Sequence, residues 1–277
     1  MASRSFGVSL IAPGSFPKEI PPPKPFQGVP RNLFIGSKIE PDCSFGVRFC
    51  AHTILTAGKE RTLVPIDDST HYLSFVIAYI RGILDLSDET DCEALLEAAR
   101  QRGLRLFRFK RRHLPRVAQV IGMLKGLQPS DLLDVGTGRG SFLWPFLDQF
   151  PWVPVTCVEN HPIRCRDLES TAKGGIDQIS VRSVDVQQGH FDEQAHDIVT
   201  ALEVLEHLPR PFPAVENLVK TARRYIVASV PSKPDDNPEH IHFFEPKMFE
   251  SLFMSAGAQR VDLTWVPGHM IALVKVY

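Results

Sequence analysis

The sequence predicts an α/β fold: a doubly wound, mostly parallel sheet with a mainly helical N-terminal addition. Three observations predict it. Leu132-Leu133-Asp134-Val135 is a short apolar run of the kind covered on both faces, and it leads through three alternating glycines (Gly136, Gly138, Gly140) into a helical stretch from about Ser141 to Phe150. Similar runs recur at Val155–Val158, about Gln178–Val184, His196–Leu202 and Tyr225–Val230, separated by stretches long enough for helices. Two of them end on an acid, Glu159 and Asp185, at the end of the strand where open α/β sheets bind ligands.

Taken in order, residues 1–35 are rich in proline, with Pro21-Pro22-Pro23 and Pro25 close together, and predict an extended arm. Residues 36–112 predict a mainly helical region, although about Ile39 to Pro65 carries no motif. Tyr72–Leu86 reads as a largely buried helix. Thr90-Asp91-Cys92-Glu93 has the form of a capping box, opening a helix through Leu95, Leu96 and Ala99 that stops at Gly103. A basic run without an acid follows: Arg100, Arg102, Arg105, Arg108, Lys110, Arg111, Arg112 and Arg116, with Phe107 and Phe109 among them. Such a strip suits phosphate or single-stranded RNA. A charge run alone reads more simply as solvated surface with both phenylalanines turned inward, and that is the expectation. Pro115 starts a helix with Val117, Ile121 and Leu124 on one face, expected beside the central strand.

The glycine turn carries the ligand argument. Glycine permits positive φ and a close approach, and the following helix aims free N–H groups at whatever binds there. A dinucleotide site reads G-x-G-x-x-G, which needs glycine at position 141; that residue is Ser141. A carboxylate at Asp134 suits a cation and repels a pyrophosphate. Glu159-Asn160, about twenty residues further on, is placed for ribose hydroxyls at a strand's exposed end. Cys157 reads as a small core residue. Ser232–Phe244 is polar and proline-punctuated, ends in His240-Ile241-His242-Phe243-Phe244, and reads as a lid on the substrate side. Pro246 opens a helix that ends near Gly257, and Arg260–Val266 and Met270–Val276 read as paired closing strands.

The stretch D-x-G-x-G-x-G at residues 134–140 resembles the first motif of the class I S-adenosylmethionine-dependent methyltransferases, and Glu203-Val204-Leu205-Glu206-His207 resembles the fourth motif of a broad group within them. The resemblance covers about residues 113–277. It implies a Rossmann-like methyltransferase fold of seven strands, the last antiparallel, with S-adenosyl-L-methionine as cofactor. It also implies a cofactor site formed by Asp134, Gly136, Thr137, Gly138, Gly140, Glu159, Asn160, Asp185, Leu202 and Glu203, in which Asp185 accepts from the adenine amino group. The D-P-P-Y or N-P-P-Y of base-amino methyltransferases is absent. A sulfonium methyl is already activated, so the protein must mainly align donor and acceptor and exclude water. Where the acceptor must lose a proton, Glu206 and His207 are the nearest candidate bases.

Two alternatives stand beside this reading. One is a metal-assisted RNA 2′-O-methyltransferase of the kind that modifies small-RNA 3′ ends. If residues 203–207 form a helical turn, Glu203, Glu206 and His207 share a face, and His240 or His242 is available from the lid. Relatives with E-V-L-E-H are commonly metal-free, so no metal is expected. The other alternative is a catalytically silent domain that binds nucleoside or RNA.

Composition narrows the partners. Apolar residues make up 43% and charged residues 23%, as in ordinary globular chains. A net charge of −1 sets up no global field toward nucleic acid, so a small-molecule acceptor is expected over RNA. Five scattered cysteines without C-x-x-C spacing suit a reducing cytoplasm. The longest apolar run, Tyr72–Leu86, is too short for a bilayer and contains Arg81 and Asp85, so no membrane partner is expected.

Overall fold

A computed structural model describes residues 66–86 and 91–277 of the chain, all within one compact unit, Thr53–Tyr277. The proline-rich arm, the motif-free stretch to Pro65 and Thr90 of the expected capping box lie outside the described residues.

Seven strands form one sheet: β1 (Leu132–Val135), β2 (Val155–Glu159), β3 (Ile179–Ser183), β4 (His196–Leu202), β5 (Ala222–Pro231), β6 (Arg260–Val266) and β7 (His269–Lys275). Their order is β3-β2-β1-β4-β5-β7-β6. The first five are parallel, and β7 runs antiparallel to both β5 and β6. Strand order therefore reverses between β1 and β4, and the crevice for a ligand opens at their carboxyl ends.

All four residues of β1 are buried, as the apolar run predicts. Alternation along the strand splits them between two cores. Leu132 joins a cluster with α1 (Leu73–Leu84), α3 (Pro115–Leu127) and α4 (Leu143–Gln149); Leu133 and Val135 join the opposite cluster with α6 (Pro211–Thr221) and α7 (Pro246–Ser255). Among the described residues, 66–112 have no core of their own: Phe75, Ile80, Leu95 and Phe109 belong to the first cluster.

The N-terminal addition is fastened at three places. α1 packs closely on α5 (Pro162–Lys173) through facing glycines: a Cβ on Gly82 would fall 1.7 Å from the Ser170 carbonyl oxygen, and one on Gly174 would fall 1.7 Å from that of Ala78. Phe75 and Phe109 sit 5.4 and 4.9 Å from the Trp144 ring. Arg108 reaches Asp167 of α5 at 2.6 Å, where the Asp167 carboxylate is 3% exposed.

Two expectations change here. The cap of α2 (Cys92–Gln101) is Asp91 rather than Thr90: its carboxylate accepts from Glu93 N at 2.9 Å and Ala94 N at 3.0 Å, the free donors of the first turn. The basic run is not simply solvated surface. Besides Arg108, Arg111 lies 4.2 Å over the Tyr72 ring and 3.3 and 3.4 Å from Asp68 and Asp148, and Arg100 pairs with Glu97. Phe109 is fully buried, but Phe107 remains 39% exposed. The short 3-10 turn at 107–109 is the reason, because it sends neighbouring side chains to different sides.

The α1–α5 contact yields a prediction. Gly82→Ala forces a methyl into the Ser170 carbonyl and should destabilise the protein by about 1–3 kcal/mol despite alanine's better helix propensity. Urea unfolding monitored by tryptophan fluorescence measures it; an unchanged midpoint contradicts the close approach.

Candidate active site

The glycine turn after β1 is shaped by hydrogen bonds from its neighbours. Gly136, Gly138 and Gly140 all take positive φ, at 70°, 62° and 79°. They differ in what surrounds them. A Cβ on Gly136 would strike Val204 at 2.5 Å and one on Gly140 would strike Trp144 at 2.3 Å, whereas one on Gly138 would meet nothing nearer than 3.6 Å. Gly136 and Gly140 are thus required by packing, and Gly138 faces the open crevice. Thr137 is buried, and its hydroxyl donates to the Asp134 carbonyl at 2.9 Å.

Glu159, expected at an exposed strand end, is instead 4% exposed. Its carboxylate accepts from Gly138 N (2.8 Å), Asn160 N (3.1 Å) and His161 N (2.9 Å), with Arg164 at 3.8 Å. Main-chain donors draw it inward, and it braces the turn. Asp134 is also turned into the protein. It accepts from the Thr200 hydroxyl of β4 at 2.7 Å, and burial pushes its pKa up to about 6, with that hydrogen bond opposing the shift. Asp185, half-buried after β3, accepts from Gln187 N at 2.8 Å and so caps its own turn.

The E-V-L-E-H segment does not form the single helical turn that would align Glu203, Glu206 and His207. Glu203 adopts a left-handed φ of 58°, and only Leu205–His207 form a 3-10 turn. Glu203 does not join Glu206 and His207 in one ligand cluster: its carboxylate accepts from the Ser229 hydroxyl at 2.7 Å and lies 3.1 Å from His269 Nε2. Leu202, half-buried, ends β4.

Glu206 has no exposed surface, and neither carboxylate oxygen has a hydrogen-bond partner. Burial and the nearby Glu203 charge push its pKa up to about 8, against the opposing charge of Arg116. The loop 232–245 closes over it: Ile241 N and His242 N donate to the Glu206 carbonyl at 2.9 and 3.1 Å, and His207 Nδ1 lies 2.8 Å from the Glu239 carbonyl. The loop brings in His240, whose ring stands 4.7 Å from that of His207. Ligand atoms of Glu206, His207 and His240 all lie within 4.8 Å of one another. His242 stays apart, its Nε2 buried without a partner and its ring 5.9 Å from Phe244.

Several residues at this end of the sheet escaped the sequence reading. Thr200 and Ser229 are ordinary strand residues by pattern, and His269 follows the Pro267-Gly268 turn with no motif to mark it. Arg116 sits in the basic run, yet its guanidinium lies 3.5 Å from His269 Nε2.

Residues 133–224 match a family model described as a methyltransferase domain. No curated protein matches the chain by sequence. Among solved structures, the bacterial methyltransferase domain CtHen1-C superposes with a TM-score of 0.50 at 18% identity, over 58% of this chain and 97% of that one. Magnesium protoporphyrin IX methyltransferase from Synechocystis PCC 6803 gives 0.48 at 16% identity, over 58% and 82%. A protein of Nostoc punctiforme PCC 73102 assigned as an O-methyltransferase gives 0.49 at 13%, over 58% of this chain and 55% of that one, little more than half its length. No helix among the described residues is long and apolar enough to cross a membrane. The family match runs from β1 into β5 and, with the open glycine cradle and the seven-stranded order, identifies a methyltransferase domain over residues 133–224.

Proposed function

We propose that this enzyme methylates an oxygen or nitrogen nucleophile that must lose a proton, and that Glu206 takes the proton. The observation that carries the reading is the Glu206 carboxylate, buried without a partner one turn past the end of β4. An unpaired buried carboxylate costs several kcal/mol, and a raised pKa near the working pH suits a general base.

The cofactor's place is supported by the same end of the sheet. Gly138 offers a backbone approach free of side chains, with Gly136, Thr137 and Gly140 setting the turn around it. Glu159 and Asn160 stand at the end of β2 for ribose hydroxyls, Asp185 follows β3 for the adenine side, and Asp134, Leu202 and Glu203 line the β1–β4 end. Bound S-adenosylmethionine supplies a methyl group already activated on sulfonium. The chain's residues then have three tasks: orient the acceptor, exclude water beneath the loop 232–245, and receive the acceptor's proton at a Glu206 oxygen. Held by these residues, the cofactor would give up its methyl group to the acceptor and leave as the neutral thioether, and the acceptor's proton would pass to a Glu206 oxygen. His207, fixed by Glu239, is placed to orient the acceptor or the carboxylate.

A small-molecule acceptor is favoured over RNA because two arginines at the middle of the basic run serve internal pairs, Arg108 with Asp167 and Arg111 with Asp68 and Asp148. A second reading is favoured by one observation, the convergence of Glu206, His207 and His240. His207 Nδ1 on Glu239 O and His240 Nδ1 on Asp235 leave both Nε2 atoms free, an arrangement typical of metal-ligating histidines. A divalent ion held there would lower the pKa of an acceptor hydroxyl.

Three measurements test these readings. S-adenosylhomocysteine should bind in calorimetry and NAD should not, and Gly138→Val should abolish the binding; tight NAD binding without S-adenosylhomocysteine binding refutes the cofactor assignment.

The second concerns pH. Burial keeps Glu206 protonated in the fold, so its contribution to stability is complete below about pH 4.5 and is lost as pH rises through about 8. Glu206→Gln should match the parent melting temperature near pH 4.5 and exceed it, by a few kcal/mol in stability, above pH 8. Its turnover should be low and should lack the rise through pH 8 that the parent shows; equal turnover in both proteins removes Glu206 as base.

The third removes metal. The base reading predicts full activity after chelation, whereas activity lost on chelation, restored by Mn²⁺ and absent in His240→Ala establishes the metal reading.

A further inference from the structure

Lys110 and Arg112 of the basic run have no acidic partner among the described residues, and the fold sets them beside Arg139 of the glycine turn. Lys110, Arg112 and Arg139 line a cavity of about 90 Å³ together with Phe107, Leu114 and Ser141. No acid lines it. Arg108 also borders it, but its charge is matched by Asp167. Arg139 stacks 5.2 Å over the exposed Phe107 ring, which holds its guanidinium at the rim. Three like charges brought together across two segments of chain repel one another unless an anion sits among them.

The cavity's position connects it with the crevice. Gly140 and Ser141, at the end of the glycine turn, form one wall. Leu114 forms another, and two residues on Arg116 lies 3.5 Å from His269, which in turn lies 3.1 Å from Glu203. We propose that this cavity binds a phosphate group of the methyl acceptor. The proposal rests on the reading that the β1–β4 crevice holds the acceptor, and it narrows the acceptor to a phosphorylated molecule. Lys110 supplies a point charge, and Arg112 and Arg139 supply paired N–H donors suited to phosphate oxygens.

Two sources share this chemistry, a phosphate monoester on a small molecule and a phosphodiester of RNA, and the test separates them. Ribose 5-phosphate and a ten-nucleotide single-stranded RNA are titrated by calorimetry into the full chain saturated with S-adenosylhomocysteine, at low and at physiological salt. Ribose 5-phosphate should bind, and Arg112→Glu/Arg139→Glu should weaken it at least tenfold while affinity for S-adenosylhomocysteine is unchanged. RNA binding no tighter than that of ribose 5-phosphate assigns a monoester. Tighter RNA binding that falls steeply with salt and is lost in the same variant assigns a diester. The milder Arg112→Ala/Arg139→Ala pair guards against misfolding and should show the same direction. Absence of binding by both probes, or binding untouched by either variant, overturns the proposal. A loss of S-adenosylhomocysteine affinity in the variants also overturns it, because the cations would then serve the cofactor. Failure of the parent protein to bind S-adenosylhomocysteine at all is a separate result and refutes the underlying reading.

Discussion

The carboxylate of Glu159 accepts from the N–H groups of Gly138, Asn160 and His161, so one side chain holds both the glycine turn after β1 and the entry to α5. A turn with three glycines in the left-handed region has little conformational preference of its own. It needs a fixed acceptor to hold it in one shape. Burial of a carboxylate is costly unless its oxygens are satisfied, and here main-chain donors satisfy them. The Asp134–Thr200 bond performs the matching task across β1 and β4, where the strand order reverses. The floor of the crevice is thereby fixed before any ligand arrives.

Glu206 presents the opposite arrangement a few residues past the same edge. Its oxygens have no partners, while its carbonyl accepts two bonds from the loop 232–245. The loop therefore seals a group that resists being charged. Buried, unsatisfied polar groups are uncommon in native proteins and concentrate where chemistry is done. The two carboxylates differ in kind: main-chain donors satisfy Glu159, which holds the turn, whereas the Glu206 oxygens are buried without partners at a cost to stability.

The helices before β1 bear on this crevice. α1 is locked to α5 by facing glycines, Arg108 crosses to Asp167, and Phe109 packs on Trp144 of α4, so residues 107–109 are fastened to two helices of the sheet's first layer. That attachment sorts the basic run by role. Arg108 and Arg111, which find acids, anchor the addition, whereas Lys110 and Arg112 lie beside the glycine turn.

The strands, their approximate limits, the glycine turn and the acid after β2 were legible in the sequence, because burial on both faces, positive φ and strand-end position leave local marks. Leu132 to Val135 could hardly be anything but a central strand, and D-x-G-x-G-x-G with E-V-L-E-H pointed to the family. The convergence of side chains was not legible. Nothing in the spacing of Glu203, Glu206 and His207 shows that Glu203 turns left-handed and faces Ser229 and His269. Nor does it show that His240 rather than His242 meets His207, or that Arg108 is buried against Asp167. The sequence by itself determined the sheet and the place of its ligand crevice, since those follow from periodicity and turn chemistry within a few residues. Only the tertiary structure decided which charged groups are paired, which are left unpartnered and which share a cavity, because those partners lie tens of residues apart and are set by how α1, α5 and the loop 232–245 pack against the sheet.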